Sequence, residues 1–458
     1  MSDAWIVGGA LRDELLGRPV RDVDVAVAGD PARAARALAA DVRGPVFRLS
    51  EAFGAWRVID RRVERVYDFA PLQGGTIEED LAKRDFTVNA MARPVALEAL
   101  AGADAAADLI DPLGGRADLE AGILRVLGAG AYESDPLRAL RLARFAAELG
   151  FAPEPDTERL TRAAAPRVAD AAGERVFGEL RRLVIAGGAL PGLELADRLD
   201  VLDAVLPELT ALHGVGQSDY HHLDVYDHTL EVLAQLIEVE SHLDELFGAD
   251  ADRLRAVLAE PLADDLTRGQ ALRFGALLHD IGKPVTRGVR ADGRITFMGH
   301  DAAGERMVRD LARRLRTSER FARFAAGLTR HHLVLGFLVH ERPLDRAQVY
   351  RYLRRTAPVE VEVTLLSCAD RLATQGRRGD EATAVHLELA RELMGAALDW
   401  REQGPPRVPV RGDELAQELG IEPGPELGRL LGELEQAAYA GEAATREQAI
   451  ALARRLRA

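Results

Sequence analysis

Strand-forming sequence all but stops at residue 128, and this change of texture limits the possible folds more than any other feature of the chain. Before it, short β-branched runs at 6–7, 23–27, 56–59 and 66–69 alternate with helical stretches such as 31–40, an α+β pattern that predicts a small mixed sheet. After it, apolar residues return every three or four positions across 135–149, 173–185, 227–243, 271–281, 305–315 and 381–400. That periodicity predicts amphipathic helices and an all-α body. Clusters of helix breakers at 128–130, 207–216 and 404–406 mark joints. The expected parts are 1–125, 126–212, 213–403 and a small helical tail, 404–458, with no repeat of fixed period.

Composition narrows the class. With 458 residues, 47% of them apolar and 29% charged, the chain has material for several cores, which excludes a single small module and wholesale disorder. No apolar run approaches a membrane span and residues 1–10 carry no basic leader, so the expectation is a cytoplasmic chain with no membrane partner. The single cysteine, Cys368, fits a reducing compartment. A net charge of −15 argues against a basic protein that coats nucleic acid, while leaving room for a local basic surface. Of 59 basic residues only Lys83 and Lys283 are lysines, and Asn89 is the sole asparagine. Against such an arginine bias, a retained lysine or asparagine marks a position where shape or hydration matters.

Three N-terminal segments carry chemistry. Gly8-Gly9-Ala10-Leu11-Arg12-Asp13 follows the apolar pair Ile6-Val7 and opens a helix, so that backbone N–H groups and a helix N-terminus approach one point, an arrangement suited to phosphate. Asp22-Val23-Asp24-Val25-Ala26-Val27 alternates, which on a strand projects Asp22 and Asp24 to one side and the valines to the other. Two adjacent carboxylates call for a hard divalent cation such as Mg2+, unless they are the polar outer face of an edge strand. Asp68 is a candidate third carboxylate. The third segment, 80–91, holds Lys83, Arg84, Asp85 and Asn89. Arg84 suits a phosphate or a base edge, and Asp85 and Asn89, one helical turn apart, suit a ribose hydroxyl.

The ordered set Gly-Gly-x-x-Arg-Asp, Asp-x-Asp and Arg-Asp-Phe-Thr-x-Asn-Ala resembles the bacterial class II tRNA nucleotidyltransferase and poly(A) polymerase family, of the polymerase-β nucleotidyltransferase superfamily. The likeness continues through Asp111-Pro112-Leu113-Gly114-Gly115, then Asp135-Pro136-Leu137-Arg138 with Arg141 and Arg144, and Glu174-Arg175 with Glu179-Leu180, to about residue 210. It implies that Asp22 and Asp24 are catalytic and hold Mg2+, that Gly8 and Gly9 cradle the triphosphate, and that Arg12, Arg84, Asp85 and Asn89 face the nucleotide. Asp135 and Arg138 would read the Watson–Crick edge of CTP or ATP from one helix face, with Arg141 and Arg144 beside them. Ser134 stands where members often have Glu, and residues 69–79 contain no basic side chain, where members that add all of CCA usually carry a longer loop with an Arg. A shortened loop is the habit of members that add only CC. Between 126 and 200 there are 10 Arg against 12 Asp and Glu, so contact with RNA is expected only where charges sort by face, as for Arg138, Arg141 and Arg144.

Ten of the eleven histidines fall between 213 and 340. His228, then His279-Asp280 at the end of an apolar helix, then Asp370 resembles the HD metal-dependent phosphohydrolase superfamily over about 215–400. Imidazole and carboxylate suit a divalent transition metal. His300, Asp301, His331 and His332 are candidates for a second metal, and Lys283 for a phosphate oxygen.

The resemblance thus implies metal-dependent nucleotidyl transfer from CTP or ATP to tRNA 3′ ends with release of pyrophosphate, with no stable protein partner. Addition of CC alone and poly(A) synthesis are the alternatives within the family. In a reading from another class, the HD region is the principal enzyme, a phosphohydrolase acting on RNA or nucleotide phosphate ends.

Overall fold

A computed structural model describes residues 4–51, 54–96, 108–217, 223–374 and 379–457, which divide into two compact units, Met1–Val205 and Leu206–Ala458.

In the first unit β1 (Ala4–Val7), β2 (Asp22–Val27), β3 (Val46–Ser50), β4 (Ala55–Asp60), β5 (Arg65–Pro71) and β6 (Ala92–Pro94) form one sheet in the order β3-β4-β5-β2-β1-β6. Its one parallel pair is β2 with β5; the other pairings are antiparallel. The alternation in β2 decides which face is buried. Val23, Val25 and Val27 pack with Tyr67 and Phe69 against Ala34, Ala35 and Leu38 of the helix Pro31–Val42. Burial of each valine is worth about 1.5–3 kcal/mol, enough to pin the register. That helix starts where the Asp30 carboxylate accepts from Ala32 N at 2.9 Å with Pro31 at its first position, and stops at Arg43 in the left-handed region. β3 and β6, which the β-branched runs did not announce, close the two edges. β3 carries Phe47 and Leu49 exposed, and β6 is three residues long.

The helices that follow wrap one apolar seam. Leu140, Leu142 and Phe145 of Arg138–Leu149 are buried against Leu180 and Leu183 of Gly173–Ile185 and Leu193 of Ala189–Arg198. The crossing is close: a Cβ on Gly192 would lie 2.6 Å from Leu183 Cδ1 and 2.7 Å from Ala147 Cβ. The helix expected over 135–149 begins only at Arg138. Asp135 precedes Pro136, whose ring drives the preceding residue out of the helical region, and it is extended at φ −153° and ψ 98°. Asp135 and Arg138 therefore do not share a helix face.

The second unit is helical, with Val225–Ser241, Arg268–Leu278, His300–Arg314, Glu319–His331 and Glu360–Ala373 around buried leucines. Arg268–Leu278 is started by a capping box in which Thr267 and Gln270 exchange side-chain and backbone bonds. The expected helix over 381–400 runs Gly379–Gln403, and the tail helices Gly412–Leu419, Pro425–Ala440 and Arg446–Arg457 close on their own core of Leu415, Leu430, Leu434 and Ile450. Two short antiparallel pairs, Pro261–Ala263 with Leu266–Thr267 and Gly288–Val289 with Ile295–Thr296, interrupt the helices. No described helix is long and apolar enough to cross a membrane.

Candidate functional site

In the first unit the three N-terminal segments meet in one cleft of about 780 Å³, lined among others by Gly8, Gly9, Arg12, Asp22, Asp24, Arg84, Asp85 and Asn89. The β2–β5 pairing sets Asp24 beside Asp68, but Asp68 is held bidentately by Arg57, at 2.7 Å to each oxygen. Asp22 and Asp24 are the pair left facing the cleft. Asp24 touches water there yet is walled by protein, and this partial burial pushes its carboxyl above the usual range; Arg84 opposes the shift, and Asp68 and Asp22 add to it. A carboxylate pair that resists joint ionisation is the donor set a hard divalent cation satisfies.

Gly8 is the pivot of the cradle. Its φ is +74°, and a Cβ there would lie 2.8 Å from Arg84 Nη1 and 3.6 Å from Asp24 Oδ2, so backbone, guanidinium and carboxylate converge on one point. Gly8 N donates to Met91 O at 3.3 Å, which leaves anion contact to the first-turn amides of the helix Gly9–Leu15. Arg84 is aimed by Asp80, whose Oδ2 accepts from Arg84 Nε at 3.2 Å and Nη2 at 3.0 Å while Oδ1 accepts from Gln73 N at 2.9 Å. Asp80 had no assigned role in the sequence reading. Its i,i+4 spacing from Arg84 was the available signal.

Asp85 and Asn89 meet, but not as a free ribose-binding pair on one helix. Only residues 87–89 form a 3₁₀ turn. Asp85 is 6% exposed and accepts from Asn89 Nδ2 (2.9 Å), Phe86 N (2.8 Å) and Arg141 Nη1 (3.0 Å). Burial alone would raise its pKa, yet Arg141 and these hydrogen bonds carry it below the usual range. Asn89 Oδ1 in turn accepts from Arg12 Nη1 at 2.7 Å. The result is a chain Arg12–Asn89–Asp85–Arg141–Glu179, continued by Arg144, which also bonds Glu179.

The outward-facing arginine stripe expected at 138, 141 and 144 is corrected by this packing. Arg144 is 3% exposed, held by Glu179 and Glu148 and stacked on Phe145 at 4.0 Å, and Arg141 is spent on Asp85 and Glu179. All three line the cleft instead. Arg138 donates to the carbonyls of Arg84 (2.9 Å), Lys83 (2.8 Å) and Ala131 (3.2 Å), while Asp135 accepts from Arg175 Nη2 at 2.6 Å. The segment between β5 and the helix Ile77–Leu81 is a tight turn, 72–76, tied to itself through Gly75 N to Glu79 and Lys83 Nζ to Gln73 O.

The second unit gathers the histidines. His228, His279 and Asp370 form one group of ligand atoms, and Asp280, His300 and His332 a second, each within 4.8 Å. His279, His300 and His332 each place Nδ1 2.8 Å from the backbone carbonyl three residues earlier, Ala276, Phe297 and Thr329. Each Nδ1–H donates there, so each ring turns its Nε2 lone pair inward. His300 and His332 bring these atoms to 3.2 Å, and buried His279 Nε2 and Asp280 Oδ1 make no hydrogen bond. Burial, with neighbouring imidazole charge, lowers His332 to about 3, which keeps it a neutral ligand. Such converging lone pairs repel unless a cation joins them, so the residues fit metal. His331 and Asp301, also candidates by sequence, stand outside both groups, and Asp301 pairs with Arg330. Lys283 Nζ lies 2.6 Å from Asp280 Oδ2 and from Gln217 Oε1.

Comparison with known proteins matches residues 4–125 to a poly A polymerase head domain, 150–212 to a probable RNA- and SrmB-binding site of polymerase A, and 225–375 to an HD domain. The chain is 37% identical to an A-adding tRNA nucleotidyltransferase of Deinococcus radiodurans, over 99% of this chain and 95% of that one. It is 33% identical to a CC-adding tRNA nucleotidyltransferase of Thermus thermophilus, over 98% and 92%. In fold it is similar to the Thermotoga maritima CCA-adding enzyme complexed with tRNA, at a TM-score of 0.60 and 21% identity over 99% of this chain and 91% of that one.

Proposed function

The chain belongs to the tRNA nucleotidyltransferase and poly(A) polymerase family, and from that premise we propose that it extends tRNA 3′ ends with part of CCA rather than the whole. The observation that carries the partial activity is the turn 72–76, whose amides and neighbouring side chains are bonded to one another, with no long basic loop to re-form the site between CTP and ATP. Of the two halves, addition of the terminal A is favoured by the 37% identity with the A-adding relative over nearly the full length of both.

Asp22 and Asp24 are the catalytic carboxylates and hold Mg2+, which supplies Lewis acidity for the 3′-hydroxyl and charge for the α-phosphate. Gly9 and the amides after it cradle the triphosphate next to Gly8, and Arg84 donates to it through Nη1. Arg12, Asn89 and Asp85 hold the floor on which the ribose sits, with Arg141 and Arg144 keeping Asp85 ionised and Glu179 in place. Asp135 as acceptor and Arg138 as donor read the base edge, exchanging their present bonds to Arg175 and to backbone carbonyls for bonds to the base. Residues 1–125 act as head and 126–212 as the nucleotide-selecting neck and RNA-binding region; 213–403 form the HD domain and 404–458 the tail. In the second unit His228, His279 and Asp370 hold one transition metal, and Asp280, His300 and His332 another, for phosphate-ester hydrolysis.

The test is incorporation into tRNA transcripts lacking the tail, ending in C, or ending in CC, with CTP, ATP or both, resolved at single-nucleotide length. Extension by one A of the CC-ended transcript alone is expected. Growth by three residues refutes the partial reading, arrest at CC assigns the other half, and long A tracts move the chain to poly(A) synthesis.

A further inference from the structure

The segment that joins Lys283 to His300 leaves the HD site and returns to it. At its base Lys283 Nζ is 2.6 Å from Asp280 Oδ2 and His300 Nε2 is 3.3 Å from Asp280 Oδ1. Between them Gly288–Val289 and Ile295–Thr296 pair antiparallel, Arg290 N donates to Arg294 O at 2.9 Å, and Gly293, with φ +82°, makes the turn. Phe297 fixes the base from both sides: its carbonyl accepts from His300 Nδ1 at 2.8 Å and its ring lies 5.5 Å from Lys283 Nζ. The hairpin is thus anchored at the metal groups.

Its surface is unlike the rest of an acidic chain. Arg287, Arg290 and Arg294 are exposed against a single acid, Asp292, which is itself held by Arg294 at 2.7 Å. Interleaved with them, Val285, Val289 and Met298 are 68%, 60% and 77% exposed. Guanidinium groups alternating with exposed apolar side chains match a strand that offers phosphates and base faces in alternation. An acidic peptide would satisfy the arginines and leave the apolar side chains in water.

We propose that this hairpin is a docking arm for single-stranded RNA, which binds phosphodiesters on Arg287 and Arg290, packs bases on Val289 and Met298, and leads a 3′-terminal phosphate to the site at Asp280. The inference rests on the reading of that site as one for phosphate esters.

The experiment uses the full chain with bound metal and a photoreactive 4-thiouridine octanucleotide bearing a 3′-phosphate. Crosslinks are expected in the peptide 285–298 and are lost in the double variant R287A/R290A. The slope of log affinity against log salt falls by about 1.4 in that variant, roughly 0.7 for each phosphate contact removed, and the double Arg→Lys variant restores it. Both arginines are exposed, so circular dichroism and metal content per chain stay at the parent values. Crosslinks confined to other peptides, or an unchanged salt slope, overturn the arm. Release of 3′-phosphate that survives His279→Ala while the crosslinks remain overturns the metal-site reading and leaves the arm standing.

Discussion

Replacing Asp80 by asparagine tests whether Arg84 must be held to work. Asp80 is 4% exposed and serves three donors, Gln73 N, Arg84 Nε and Arg84 Nη2, at 2.9, 3.2 and 3.0 Å. The asparagine keeps one oxygen, enough for Gln73 N, and turns an amide N–H₂ toward the guanidinium. A hydrogen bond to a charged group contributes about 1.5–3 kcal/mol, and because Arg84 is 23% exposed and regains water, the net loss of stability is about 1–2 kcal/mol. For a unit of this size that lowers Tm by about 3–6 °C. Catalysis should suffer more than stability, since the freed Arg84 leaves the point where Gly8 and Asp24 converge. A 10- to 100-fold fall in kcat/KM is expected, equivalent to about 1.4–2.7 kcal/mol of transition-state stabilisation. Single-turnover incorporation with saturating tRNA measures it. The decisive control is Arg84→Ala: if Asp80 acts through Arg84, adding Asp80→Asn to that variant costs no further activity. A kcat/KM within twofold of the parent in Asp80→Asn, or fully additive losses in the double variant, refutes the positioning role.

Asp22→Asn and Asp24→Asn should each lower incorporation by at least about 10³-fold, the scale of losing a group that places charge on a transferring phosphoryl. Asp24→Asn should leave the metal-free chain as stable or more so, because a raised carboxyl pKa means the folded state prefers the neutral form and gains stability as pH falls through it. A large drop in Tm would contradict that sign. Glu179→Gln removes the partner shared by Arg141 and by Arg144, which is 3% exposed, and should cost about 3 kcal/mol in urea unfolding, as for a broken buried pair. A loss below about 0.5 kcal/mol would show the pair to be solvated. Elemental analysis should find two metal ions per parent chain, with one lost in His332→Ala and the other in His228→Ala. Equal metal content in all three proteins would remove the two-group assignment.

How much of this was legible follows from how local each feature is. The strand of Asp22 and Asp24, the helices near 173–185 and 227–243, and the His279-Asp280 pair at a helix end all depend on period and spacing within one element, and the structure places them within a few residues of expectation. Asp135 was misplaced although the signal was adjacent, since Pro136 is itself the reason that residue cannot be helical. β3 and β6 went unread because both are short edge strands whose pairing partners, not their own composition, make them strands.

Sequence by itself determined the elements and the inventory: which residues alternate, where helices start, and which rare side chains stand at motif positions. Only the tertiary structure decided what those side chains do to one another. It took Asp68 out of the carboxylate set by delivering Arg57 from the neighbouring strand, turned Arg141 and Arg144 inward onto Glu179, and separated His332 from the adjacent His331 as a ligand. The physical reason is that a side chain's charge state and orientation are set by partners tens or hundreds of residues away. Such pairings carry no local period, and the desolvation that gives them their energy arises only when the elements pack.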